Sequence, residues 1–210
     1  MRRLFDPDSP VMGCLYKVFD AIVLGLLWIL CSLPVVTMGA ASAALYTATR
    51  RCLVHSESYL LRTFFSAFRE NWKQATLVWL LILALLGLLA VDAAVFRSLA
   101  AAGTAWGGFY WVILALFCLV LTWSAYLLAY CARCQGTAAE VLRISFQLLM
   151  LHPIRALGVL LPLVGGIALA LIAPGLIFFL PAPVCWLESR TIEAVFRLHM
   201  RPEDLERETA

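Results

Sequence analysis

Leu27-Trp28-Ile29-Leu30-Cys31-Ser32-Leu33-Pro34-Val35-Val36-Thr37-Met38-Gly39-Ala40 lies inside an uncharged run from Ala21 to Thr49, and its reading decides the fold. As one straight helix that run would measure roughly 43 Å, against a hydrocarbon core of ~30 Å. Split in two, each leg is slightly short. Pro34 removes a helix hydrogen bond and disfavours helix just before it, so the run is expected to be a broken helix or a tight hairpin.

Three further uncharged runs follow: Gln74 to Val91, Ser98 to Ala132 and Ala156 to Leu187. Each reaches the roughly 18 residues that mark a candidate membrane span. The composition agrees: 63% of the 210 residues are hydrophobic and 14% charged, whereas a soluble domain is about half apolar and a quarter charged. The expected fold class is all-α, a polytopic transmembrane helical bundle forming a single membrane domain over residues 1–210. Gln74–Phe96 and Tyr110–Tyr130 read as simple spans. The last run carries Pro162, Gly165-Gly166, Pro174-Gly175, Pro181 and Pro183, and is expected to break like the first.

Charge placement chooses between straight spans and hairpins. With four straight spans the basic residues divide evenly between the two sides. If both broken runs double back, every one of the 16 basic residues except Arg97 falls on one side. That asymmetry is the positive-inside pattern of a bacterial inner membrane. Both termini, Arg50–Lys73 and Arg133–Arg155 are therefore expected in the cytoplasm, with Arg97–Gly108 outside. Met1-Arg2-Arg3 and Ala41-Ser42-Ala43 offer the ends of a secretory signal, but Asp6, Asp8, Lys17 and Asp20 give the intervening stretch the wrong shape.

Leu61-Arg62-Thr63-Phe64-Phe65 and Leu142-Arg143-Ile144-Ser145-Phe146 share the pattern Leu-Arg-x-x-Phe. They suggest a weak internal two-fold repeat with halves of about 17–97 and 106–187. In the first copy Leu61, Phe65, Phe68 and Trp72 share a helical face, with Arg62, Arg69 and Lys73 beside it. Tyr59–Lys73 is expected to be an interfacial or partner-binding helix on the cytoplasmic side, with a plain connecting helix as the other reading. Residues 201–210 read as a frayed charged tail.

Leu27 to Ala40, followed by Ala43-Ala44-Leu45-Tyr46, resembles the N-terminal signature of the YesL-like bacterial integral membrane proteins, the domain of unknown function 624. Phe64-Phe65-Ser66-Ala67-Phe68-Arg69-Glu70-Asn71-Trp72-Lys73-Gln74 is similar to that family's second block. The resemblance implies a helical integral membrane protein, often encoded beside carbohydrate ABC-transporter components. It implies no reaction and no catalytic residue.

The break supplies the candidate ligand-lining residues Pro34, Thr37 and Gly39. An interrupted helix in a bilayer leaves backbone groups that must line a cavity or be covered by protein. The other reading is a turn that only closes a hairpin. Thr37 is expected to face the interior, and Gly39 to adopt a backbone conformation that a larger residue would strain. Ala40, Ala43, Ala44 and Ala48 offer a small-residue face for another helix.

Asp20 is expected to cap a helix start, and Asp92 to sit at a membrane boundary. Cys131-Ala132-Arg133-Cys134, with Cys52, His55 and His152, has metal-like spacing, but a single unpaired CxxC reads first as free thiols. Trp72, Trp106, Tyr110, Trp111, Tyr130 and Trp186 fall near span ends, as an aromatic belt requires. No P-loop, G-x-S-x-G, H-E-x-x-H or dinucleotide fingerprint occurs, so no enzyme activity, catalytic residue, cofactor or bound metal is expected. Basic residues between apolar runs write topology and do not form a nucleic-acid face. The expected partners are the lipid bilayer and sugar ABC-transporter subunits. A small secondary-transporter-like or channel-like carrier is the alternative, and a membrane enzyme the third choice.

Overall fold

The computed structural model describes residues 10–54, 59–103, 105–133 and 137–199. Among the described residues seven α-helices follow one another: α1 (Pro10–Ser32), α2 (Met38–Ala48), α3 (Leu60–Ala101), α4 (Phe109–Arg133), α5 (Ala138–Leu151), α6 (Pro153–Ile172) and α7 (Pro181–His199). No strand occurs among the described residues. Leu60–Ala101, Trp106–Arg133 and Pro153–Ile172 are long and apolar enough to cross a membrane. The molecule is a membrane-type helical bundle.

Both broken runs double back. Helix α1 stops at Ser32, two residues before Pro34, and a short 3-10 turn (Val35–Thr37) leads into α2. The Trp28 indole donates to the Ser42 hydroxyl at 3.0 Å, so the legs lie side by side. In the second run α6 ends at Ile172, and a 3-10 turn (Pro174–Phe178) precedes α7. Arg155 donates to the carbonyl of Ala194, while Gly158 faces Thr191 and Gly166 faces Val184, which makes α6 and α7 antiparallel. Pro162 stays inside α6.

The hairpins meet where the second turn crosses the first leg. A Cβ on Gly25 would collide with the carbonyl oxygen of Phe178, so glycine is what lets that backbone approach. Helix α2 lies antiparallel to α3: its start meets Trp79 and Ala75, and Ala48 joins Phe64 in the core at the other end. Ala40, Ala43, Ala44 and Ala48 are fully buried, as the small-residue face requires. Val78, Ile82 and Leu86 of α3 close on Leu127, Leu128 and Cys131 of α4.

Two expectations are corrected. Asp20 is not at a helix start: the chain is already helical at Pro10, ten residues earlier. Tyr59–Lys73 is not a separate helix, because Leu60–Lys73 runs unbroken into the span as part of a 42-residue helix. At 1.5 Å per residue that helix is about 63 Å long, twice the hydrocarbon thickness. Between Leu60 and Leu86 it contains neither proline nor glycine, so nothing in the sequence stops it.

Candidate functional site

The break is closed by its own chain. The Thr37 hydroxyl shares its one proton between the Cys31 carbonyl at 2.6 Å and the Pro34 carbonyl at 2.9 Å. The Thr37 amide also donates to the Pro34 carbonyl at 2.9 Å. From α3, the Trp79 indole donates to the Val35 carbonyl at 2.9 Å. An unpaired polar group in lipid costs several kcal/mol, and these three donors lower that penalty. Thr37 itself is 7% exposed and faces the protein interior. Pro34 lies exposed at the tip of the turn.

Gly39 is constrained differently from the expectation. It is helical, and Gly103 alone among the described glycines has a positive φ. The constraint is contact: a Cβ on Gly39 would collide with Trp79 Cβ and lie 2.8 Å from the Ala75 carbonyl oxygen. Its missing side chain sets the α2–α3 separation and brings Trp79 within reach of Val35. One buried polar atom at the break has no hydrogen-bond partner, the Ser32 hydroxyl.

The residues of the expected interfacial face divide. Phe68 packs against the core through ring contacts with Phe64 and with Trp72, whose centroids lie 6.4 and 5.1 Å away. Leu61, Phe65 and Trp72 stay exposed, as do Arg62, Arg69 and Lys73. The buried side of this stretch is Phe64 and Ala67, not the Leu61–Phe65 face. Trp106 and Trp111 are exposed near the α3–α4 turn, as belt residues are. Cys52 and Cys131 are buried, while His55 and Cys134 lie outside the described residues. Among the described residues no three His, Cys, Asp or Glu side chains gather as a metal site.

Sequence reading missed a charged cluster at the basic end of the bundle. Glu193 Oε1 accepts from Arg50 Nε at 3.0 Å and from Arg133 at 3.1 Å. These residues come from the π-helical turn Thr49–Val54, from the end of α4 and from α7. The Arg133 guanidinium also lies over the Phe196 ring at 5.0 Å. The available signal was the spacing Ala182, Cys185, Ser189, Ile192, Phe196, a buried helical stripe with Glu193 at its edge. Partners so far apart in sequence leave no local mark.

Residues 21–93 match the family described as "Protein of unknown function, DUF624". The match bears out the resemblance carried by Leu27–Ala40 and Phe64–Gln74, and covers the second half of α1, α2 and most of α3. No curated protein and no solved structure matches the chain.

Proposed function

We propose that this DUF624 chain is an accessory membrane protein of carbohydrate uptake, which docks on a sugar transporter and carries no solute itself. The observation behind this reading is the self-closed break: Thr37 and Trp79, the polar groups best placed to meet a solute, are spent on the Cys31, Pro34 and Val35 carbonyls. The docking surface is the part of the bundle that its own helices leave bare. The outer half of α3 shows Leu88, Val91 and Val95, α4 shows Val112, Leu116 and Leu119, and α6 buries only Val159. The link to carbohydrate uptake comes from the family resemblance. The host membrane is the bacterial cytoplasmic membrane, with the Arg50–Glu193–Arg133 end inside, because that assignment satisfies the positive-inside rule.

A carrier is the second reading, and the unpartnered Ser32 hydroxyl at the break favours it. Purification from the native membrane in mild detergent separates the two. Co-purification of the membrane subunits of a sugar transporter supports the accessory role. Sugar flux into liposomes that contain this chain alone overturns it in favour of the carrier.

A further inference from the structure

We propose that Glu188 of α7 is a proton-binding site, where the neutral acid lets α6 and α7 close and the ionised one loosens their contact. Glu188 follows the last uncharged run, which ends at Leu187, and α7 is not among the three described helices apolar enough to cross a membrane. Two close approaches bracket it. An added Cβ on Gly166 would lie 2.8 Å from Val184, and one on Gly158 would lie 3.0 Å from Thr191. Val184 stands four residues before Glu188 and Thr191 three after it, so all three share the side of α7 that faces α6. On α6 the residue midway between Gly158 and Gly166 is Pro162, which is half-buried. The register therefore sets Glu188 level with Pro162.

Nothing among the described residues answers the carboxyl there. Glu188 Oε1 is sealed from solvent and has no hydrogen-bond partner, and no ion pair reaches the side chain. Arg50 of the π-helical turn and Arg133 of α4 pair with Glu193, five residues further on. Arg155 of α6 donates to the carbonyl of Ala194, six residues on. Lys17 and Asp20 of α1, Tyr46 of α2 and Tyr126 of α4 make no hydrogen bond or ion pair with Glu188. On α7 itself, Arg190 lies over the Trp186 ring at 4.4 Å. Cys185, one turn back, is a buried thiol, as are Cys52 and Cys131.

Enclosing a carboxylate with neither counter-charge nor donor costs far more than enclosing the neutral acid. Burial accordingly pushes the Glu188 carboxyl up to about 8. Pro162 acts in the same direction. It has no amide hydrogen for the Gly158 carbonyl, and a carbonyl oxygen lacking its helix donor attracts a carboxylic acid and repels a carboxylate. Between the ordinary glutamate range and the folded value, the folded chain binds more protons than the unfolded one, so stability falls as pH rises. The proposal does not depend on the accessory role.

Infrared spectroscopy of the purified full chain in neutral detergent tests it. At neutral pH the wild type is expected to show a carboxylic-acid carbonyl band that Glu188→Gln lacks. That band should disappear as pH rises through about 8. Thermal unfolding reads the consequence. Glu188→Gln, an uncharged mimic of the acid, is expected to unfold at a higher temperature than the wild type. The gap should open above about pH 4 and stop widening once the band is lost. Glu70→Gln removes an exposed acid and is expected to keep the band. Should Glu188→Gln fail to fold, a hydrophobic carbodiimide, which adds to protonated carboxyls, decides on the wild type. Peptide mapping should then find Glu188 modified at neutral pH and spared at alkaline pH. The proposal is overturned by the absence of a difference band at neutral pH, or by a midpoint gap that stays constant across pH. Failure of the carbodiimide to modify Glu188 at neutral pH overturns it equally.

Discussion

The Trp79 indole reaches back 44 residues to donate a 2.9 Å hydrogen bond to the Val35 carbonyl, tying the middle of the longest helix to the turn of the first hairpin. That bond adds a side-chain donor from α3 to a carbonyl that the Met38 amide at the start of α2 also serves. It also fixes the height of the break along α3, since Gly39 packs against the same tryptophan.

Trp79→Phe keeps the aromatic bulk and removes the donor. Stability in detergent should fall by about 0.5–1.5 kcal/mol, the net worth of one hydrogen bond to a carbonyl that the Met38 amide continues to serve. Denaturant unfolding followed by the remaining tryptophans measures it. An unchanged midpoint would mean that the bond contributes nothing.

Gly39→Ala puts a methyl group where Trp79 Cβ already sits, so α2 and α3 must separate, at about 1–3 kcal/mol for overpacking. Gly165→Ala is the control. Nothing lies within 4 Å of an added Cβ there, and alanine is the better helix former by about 1 kcal/mol. The two substitutions should move the unfolding midpoint in opposite directions.

Thr37→Val is expected to lower stability by about 1–2 kcal/mol, because the Cys31 carbonyl loses its hydroxyl donor while the Pro34 carbonyl keeps only the Thr37 amide. It should leave association with a partner intact once the lower stability is offset by cooling. Lost association with unchanged stability would instead point to a ligand-lining role.

At the start of α5, Thr137 and Glu140 form a reciprocal capping box, with the Thr137 amide donating to Glu140 Oε2 at 2.9 Å. The bonds to Thr137 hold the Glu140 carboxyl below its ordinary range. A group whose pKa is depressed on folding stabilises above its unfolded value and loses that contribution as pH falls through its folded value. Amide exchange at the first turn of α5 should therefore accelerate on acidification below the ordinary glutamate range. Glu140→Gln should flatten that dependence.

How much of this was legible depended on whether the cause was local. Pro34 marked the first break correctly because proline acts on its immediate neighbours. In the last run Pro162 and Pro174 carried the same local signal, yet only the latter ends a helix. Pro162 is flanked by Leu160, Leu161 and Leu163, good helix formers that hold the turn around one missing bond. The alanine face of α2 was readable, since spacing alone defines it. The true reason for Gly39 was not, because it lies in a side chain forty residues away. Glu193 and its two arginines were invisible for the same reason: each looks like an ordinary flanking charge until the three elements are brought together.

Because both broken runs double back, the two termini are expected on the side of Arg50 and Arg133, and the α3–α4 turn on the other. Single cysteines at Phe5, Leu205 and Ala102, in a chain whose native cysteines are replaced, test it with a membrane-impermeant maleimide on intact cells. Position 102 is expected to label from outside, and positions 5 and 205 only after the membrane is opened. External labelling at position 5 or 205 would contradict it and restore four straight spans.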